Sequence, residues 1–182
     1  EKPEALNKLK PGTWLKKRSA APVRRRSVRV GREGVFWRST RRADVRTVLL
    51  AAERFDLAGR LAAKRDKSGE RSGPLGAIGL AVLKEMAHFV NYNSGRLDPC
   101  YETLAQRTGF ARSAIINACK RLREHGFLDW VRRFEDDPRP GERGPQVKQA
   151  SNAYRFMVPG FVARMMGFRG EAAPMPEDDE DR

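Results

Sequence analysis

Apolar residues recur along this chain at two periods, and the periods place its elements. From Ala43 to Lys64, the residues Val45, Val48, Leu49, Ala52, Phe55, Leu61 and Ala62 fall at helical spacing, with charged residues filling much of the remainder. A second stripe of Leu75, Ile78, Val82, Met86, Phe89 and Val90 predicts a helix over about 75–92, closed by Asn93-Ser94-Gly95. Between the two, residues 67–74 read as a loop or linker from their Ser, Gly and Pro content. Tyr101, Leu104 and Ala105 mark a short third helix. Asp98-Pro99 is its expected start, because Asp caps and Pro suits the first helical position. Gly109 then permits a tight turn. A fourth helix carries Ile115, Ala118, Cys119 and Leu122 on one face, and Gly126 ends it.

After Gly126 the period changes to two. Phe127-Leu128-Asp129-Trp130-Val131 opens a strand expected to reach about Phe134. Ser151 to Val158 forms the returning strand, with Tyr154, Phe156 and Val158 on one side. Leu104, Ile115, Leu122, Trp130, Tyr154 and Phe156 are the expected common core. Phe161 to Phe168 reads as a short closing helix. The expected fold class is mainly α with a small β-hairpin.

The polar positions carry the candidate chemistry. The face of the fourth helix opposite its apolar stripe holds Arg112, Ser113, Asn117, Lys120 and Arg121, side-chain types that reach phosphates and base edges. Ile116 lies beside that face, where it can meet a thymine methyl or join the core. The hairpin tip carries the basic residues Arg139, Arg143 and Lys148. It also carries Glu135, Asp136, Asp137 and Glu142, which can pair with them.

Charge sharpens this reading. The 182 residues have a formal net charge of +14, a balance that points first to nucleic acid and second to an acidic membrane surface. Residues 1–42 hold fourteen Lys and Arg against three acids, or +11. Lys16-Lys17-Arg18 and Arg24-Arg25-Arg26 are the densest clusters, interleaved with Trp14, Phe36 and Trp37. These residues are expected to form a flexible arm that tracks phosphates or enters a minor groove. Weak strand signals lie at Val28-Arg29-Val30 and at 34–37. The expected organisation is an arm over 1–42, a helix over 43–66, a linker over 67–74, the main domain over 75–168 and an acidic disordered tail over 169–182. Val45, Val48, Ala52 and Phe55 also fit a heptad, so residues 43–66 offer either a packing face or a homodimer seam.

The stretch Gly109 to Trp130, GFARSAIINACKRLREHGFLDW, resembles the winged helix-turn-helix families: glycine, apolar, small, Arg-Ser, apolar core positions, then Gly-apolar-apolar. The resemblance implies that the fourth helix reads the major groove and that the hairpin is the wing, its tip with Arg139, Arg143 and Lys148 resting on the DNA backbone or the minor groove. Ala111 departs from the pattern, which usually has a Ser or Thr cap there, so the helix is expected to begin at Ser113 or to lean on Thr108. The layout from Leu75 to Val158 also resembles alphaproteobacterial plasmid and phage replication initiators. The carriers are Leu97-Asp98-Pro99 to Leu104, Phe127-Leu128-Asp129-Trp130 and Gln149 to Phe156. This second resemblance implies a sequence-specific double-stranded DNA-binding protein that marks a replication origin. A winged-helix transcription regulator, and a nucleoid or RNA-binding structural protein, are the alternatives.

Other classes find little support. There is no phosphate-binding Gly-Lys-Ser/Thr loop and no Cys/His metal spacing, so no enzyme and no cofactor are expected. Gly76 to Gly79 lacks the strand that a dinucleotide fingerprint needs. His88 reads as a surface residue. Cys100 and Cys119 read as thiols of a reducing cytoplasm. The longest apolar run, Ala77 to Leu83, is too short to span a membrane. The chain is expected to be cytoplasmic and nucleoid-associated, with replication or transcription machinery as further partners, and no effector pocket is expected.

Overall fold

The stripe read over residues 43–64 becomes α1, Arg42–Arg65, which buries Val45, Val48, Ala51 and Ala52. The protein is seen here as a computed structural model that describes residues 23–66, 72–138 and 146–167. Before α1 lie a two-residue strand, β1 (Val28–Arg29), and a 3-10 turn, Gly34–Phe36. Helices α2 (Gly76–Ala87), α3 (Tyr101–Thr108) and α4 (Arg112–Glu124) come after it, then strands β2 (Leu128–Asp136) and β3 (Val147–Phe156), and a short α5 (Gly160–Met165). Three helices against a β-hairpin make a winged-helix-like fold, to which α1 and a third strand are added.

One core holds it together. Leu75, Val82, Leu83 and Met86 of the α2 region, Leu104 of α3, and Ile115, Cys119 and Leu122 of α4 are fully buried with Phe127, Leu128 and Tyr154. Trp130 and Phe156 pack on this cluster while partly exposed. Deleting any of the fully buried Leu side chains costs about 2–5 kcal/mol. The helix α1 belongs to the same core. Its Phe55 ring meets His125, Phe127 and Phe161 at 5.3, 5.5 and 5.5 Å between centroids. Asp56, itself buried, accepts hydrogen bonds from the Leu75 and Gly76 backbone N–H groups at 3.0 and 2.9 Å. It thereby satisfies two donors at the start of α2, the office usually filled by a local cap. Of the heptad Val45, Val48, Ala52 and Phe55, the first three are buried against their own chain, so they serve as the packing face of α1.

The turn between α3 and α4 rests on Gly109, whose left-handed φ of 74° caps α3 with a bond from its N–H to the Ala105 carbonyl. The start of α3 differs from expectation. Cys100 is its N-cap, its Sγ accepting from the Thr103 N–H at 3.3 Å. Asp98 does not cap, because its carboxylate is held by Arg96 and Arg133 at 2.8 Å each. Ala111 is the N-cap of α4 without any side-chain hydrogen bond, and the helix begins at Arg112 rather than Ser113.

Strands β2 and β3 are antiparallel, with Trp130 opposite Tyr154 and Phe134 opposite Gln149. The returning strand starts at Val147, four residues earlier than its apolar alternation suggests. Between Val131 and Arg133 the register shifts, and β3 carries one residue more than β2, a bulge that turns the Ser151 carbonyl toward Arg133 Nε at 2.8 Å.

Residues 23–41 are not a free arm. Strand β1 runs parallel to β2, Val28 opposite Arg133 and Arg29 opposite Phe134, and completes the sheet order β1-β2-β3. Trp37 donates its indole N–H to the Tyr154 carbonyl at 2.9 Å. Arg133 is buried and gives one arm of its guanidinium to Glu33 at 3.0 Å and the other to Asp98. Its charge also lies over the Trp37 ring, 5.3 Å from the centroid. Backbone closeness completes the join: a Cβ at Gly95 would meet the Arg38 carbonyl oxygen at 1.8 Å. The segment is therefore a strap across the domain, and the part of the arm that precedes it lies outside the described residues.

Candidate nucleic-acid interface

The buried face of α4 fixes what its other face can do. With Ile115, Ala118, Cys119 and Leu122 inward, spacing of three and four residues puts Ser113, Asn117 and Lys120 in one row on the far side, and all three are exposed. Neither Asn117 nor Lys120 makes a side-chain hydrogen bond or ion pair with the described residues. An amide and an ammonium left unengaged on an exposed helix face are free to meet base edges and phosphates.

The remaining candidates stand at the flanks. Arg112 is exposed, and its Nε donates to Glu102 at 2.6 Å while its charge lies 5.7 Å from the Tyr101 ring centroid. The hydrogen bond from Arg112 holds the Glu102 carboxyl below its ordinary range, so the pair is charged at neutral pH. Arg121 is turned to the other side, and its Nη1 donates to the Leu75 carbonyl at 3.2 Å, which ties α4 to α2. Ile116 is half-buried and outside the core cluster.

Between the α4 start and the wing runs a polar groove of about 510 Å³, with Arg112, Tyr101 and Glu102 on one wall and Gln149, Ser151 and Asn152 on the other. Arg24 also lines it, held there by a hydrogen bond from its backbone N–H to Gln149 Oε1 at 2.9 Å. Arg24, Arg25 and Arg26 are all exposed, and Arg26 has the left-handed φ of 59°. Arg24 thus sits on the groove against β3, within the described strap rather than on a loose arm, and Arg25 and Arg26 follow it in the chain. On the wing itself Lys148 is exposed and paired with Glu135 at 3.1 Å, and Asp136 is paired with Arg29. Lys148, expected as a phosphate contact, is therefore already paired within the wing, as its acids allowed. Lys16, Lys17, Arg18, Arg139 and Arg143 lie outside the described residues, as do residues 67–71 and the acidic tail.

Over 83 residues the chain is 37% identical to a curated protein named "Replicating protein" from Rhizobium radiobacter. The likeness covers 46% of this chain and 31% of that protein. The chain accordingly spans about a third of the length of the relative it matches. No family model matches, and no solved structure matches.

Two further observations bound the chemistry. Among the described residues no group of three or more His, Cys, Asp or Glu is placed to hold a metal ion, and no helix is long and apolar enough to cross a membrane. Burial pushes the Cys119 thiol up to about 12, so it is a core group with no thiolate to offer at neutral pH. Reading the sequence missed the structural importance of Arg133 and Asp56. Both are charged residues inside an amphipathic pattern, and nothing in their local spacing marks them as buried.

Proposed function

We propose that this chain binds double-stranded DNA sequence-specifically through the outward face of α4 and acts in replication as an origin-binding initiator. The observation that carries the DNA-binding half is the unengaged row of Ser113, Asn117 and Lys120 beside a groove lined by Arg24 and Arg112. On this reading Asn117 addresses a base edge, Lys120 and Arg112 address phosphate or guanine, and Ser113 and Ile116 complete the contact surface. Arg24 to Arg26 contribute phosphate contacts beside the groove, with Lys148, Arg139 and Arg143 as wing contacts. Arg121 serves by holding α4 against α2. The likeness to the replicating protein is what favours an origin over a promoter, and replication proteins are the further partners on this view.

Recovery of the DNA bound across a genome tests the reading. A dominant peak at a replication origin is the expected result. Peaks confined to promoters would move the chain to transcription regulation, and broad coverage without preferred sites would sink specific reading altogether.

A further inference from the structure

Behind its buried stripe, α1 carries a second apolar row. Leu50, Leu57 and Leu61 are seven and four residues apart, which sets them in one line along the helix surface. They are 41%, 47% and 59% exposed, while Val45, Val48, Ala51 and Ala52 on the opposite side are buried. The row is about 17 Å long. Arg46, Arg54 and Lys64 flank it, and all three are exposed. None of their side chains makes a hydrogen bond or ion pair with the described residues. The acids nearby are already taken, Glu53 by Lys84 at 2.6 Å and Asp56 by Arg60 at 3.3 Å.

A line of leucines among unpaired cations suits an occupant that is both acidic and partly apolar. A second copy of α1 does not meet that need, because pairing two such rows crowds their flanking cations together, and like charges in contact are unfavourable. The chain itself supplies the chemistry. Residues 168–182 read FRGEAAPMPEDDEDR, with Phe168 and Met175 as apolar side chains and six acids, five of them consecutive from Glu177 to Asp181. They follow α5, which lies on α1 with the Phe161 ring edge-on to Phe55 at 5.5 Å. Because α5 is only about 9 Å long, the chain is still close to α1 where it passes Gly167. The fifteen residues beyond reach up to about 50 Å, enough to run the length of the leucine row.

We propose that the acidic segment 168–182 docks on the outer face of α1, its acids pairing with Arg46, Arg54 and Lys64 and its Phe168 and Met175 covering the leucine row. The inference stands apart from DNA binding. Spin-label NMR on the full chain tests it, with a nitroxide at position 173 of an Ala173→Cys chain that also carries Cys100→Ser. Cys119 is buried and stays unlabelled. The amides of Leu50, Arg54, Leu57 and Leu61 should broaden far more than those of α4. Mixing spin-labelled chains with separate isotope-labelled ones should give no such broadening, which places the contact within one chain. Raising the salt to about 1 M, where the Debye length falls to about 3 Å, should weaken the effect. Arg46→Glu, Arg54→Glu and Lys64→Glu together should abolish it. Should that triple variant fail to fold, the salt series decides without it. Broadening centred on Asn117 and Lys120, or on the groove of Arg24 and Arg112, would send the acids to the opposite charge of the proposed DNA interface and overturn the proposal. Broadening in the mixed sample as strong as within one chain, broadening indifferent to salt, or none along α1 would overturn it as well.

Discussion

Asn117 and Arg133 are both polar residues at intervals the helix or strand pattern assigns, yet the fold uses them in opposite ways. Asn117 is exposed and unengaged, and its value lies in what it meets outside. Replacing Asn117 with Ala should cost about 1–3 kcal/mol of binding on the preferred site and little on random duplex. Competition titrations against both duplexes measure this, and equal losses on the two would show that α4 does not read sequence. Arg133 is 3% exposed and answers Glu33 and Asp98 at once. Arg133→Met should cost about 3–5 kcal/mol of stability, because two carboxylates lose their partner together; a chemical-denaturation midpoint close to that of the unaltered chain would contradict the network. Cys119 offers a gentler check of the same core. With its thiol buried and raised to about 12, it should resist a thiol reagent until the chain unfolds.

Among the elements, those carried by their own periodicity were legible in the sequence. The stripes of α1, α2 and α4 are internal to each helix, and most of their buried positions fall where spacing put them; Leu61 of the α1 stripe is exposed, Leu83 is buried outside the α2 stripe, and α2 ends at Ala87, before Phe89 and Val90. The strand pair was legible too, apart from its tip, because alternation fades where the wing leaves the core and both faces meet water. What escaped was whatever one element does for another. Asp56 caps α2 from the middle of α1, and β1 finds its partner in β2, and no local pattern encodes either. The strap's anchoring also sets a pH dependence. Burial alone would raise the Glu33 and Asp98 carboxyls, but hydrogen bonds from Arg133 to Glu33 and from Arg96 and then Arg133 to Asp98 outweigh burial and hold each below its ordinary value of 4.5 or 3.8. Depressed carboxyls stabilise the fold above those ordinary values and lose that contribution as the pH falls through the lowered ones. Thermal melts should therefore be flat from neutral pH to about 5 and drop below about 4, and the drop should be smaller in a Glu33→Gln variant, which keeps only the Asp98 share.

For the whole molecule the question is where the basic charge acts. Residues 1–42 hold +11 of the formal +14, but only the portion before residue 23 precedes the strap. Deleting residues 1–42 would remove β1, Glu33 and Trp37 with the arm and would test folding rather than DNA binding. Deleting residues 1–22 takes away six Lys and Arg and leaves the strap intact. On the proposed function, that truncation should lower the log-log salt slope by about 0.9 for each phosphate the arm neutralises, with the preferred sequence unchanged. Parallel salt titrations for full-length and truncated chains would rule out a role for the arm on duplex DNA.

The pairing of β1 with β2 also orders events in time. Val28 lies opposite Arg133, so β1 must wait, as the chain leaves the ribosome, for four helices to be made before its neighbour exists. The helices can gather from local contacts in the meantime, and the wing can close as soon as β3 arrives. The strap docks onto a domain already built, and a pairing so distant in sequence forms late. A segment that forms last with few partners tends to open first. The Val30 amide, bonded to the Phe134 carbonyl at 2.9 Å, should exchange its hydrogen well before the amides of α4, through an opening that leaves the rest of the fold closed.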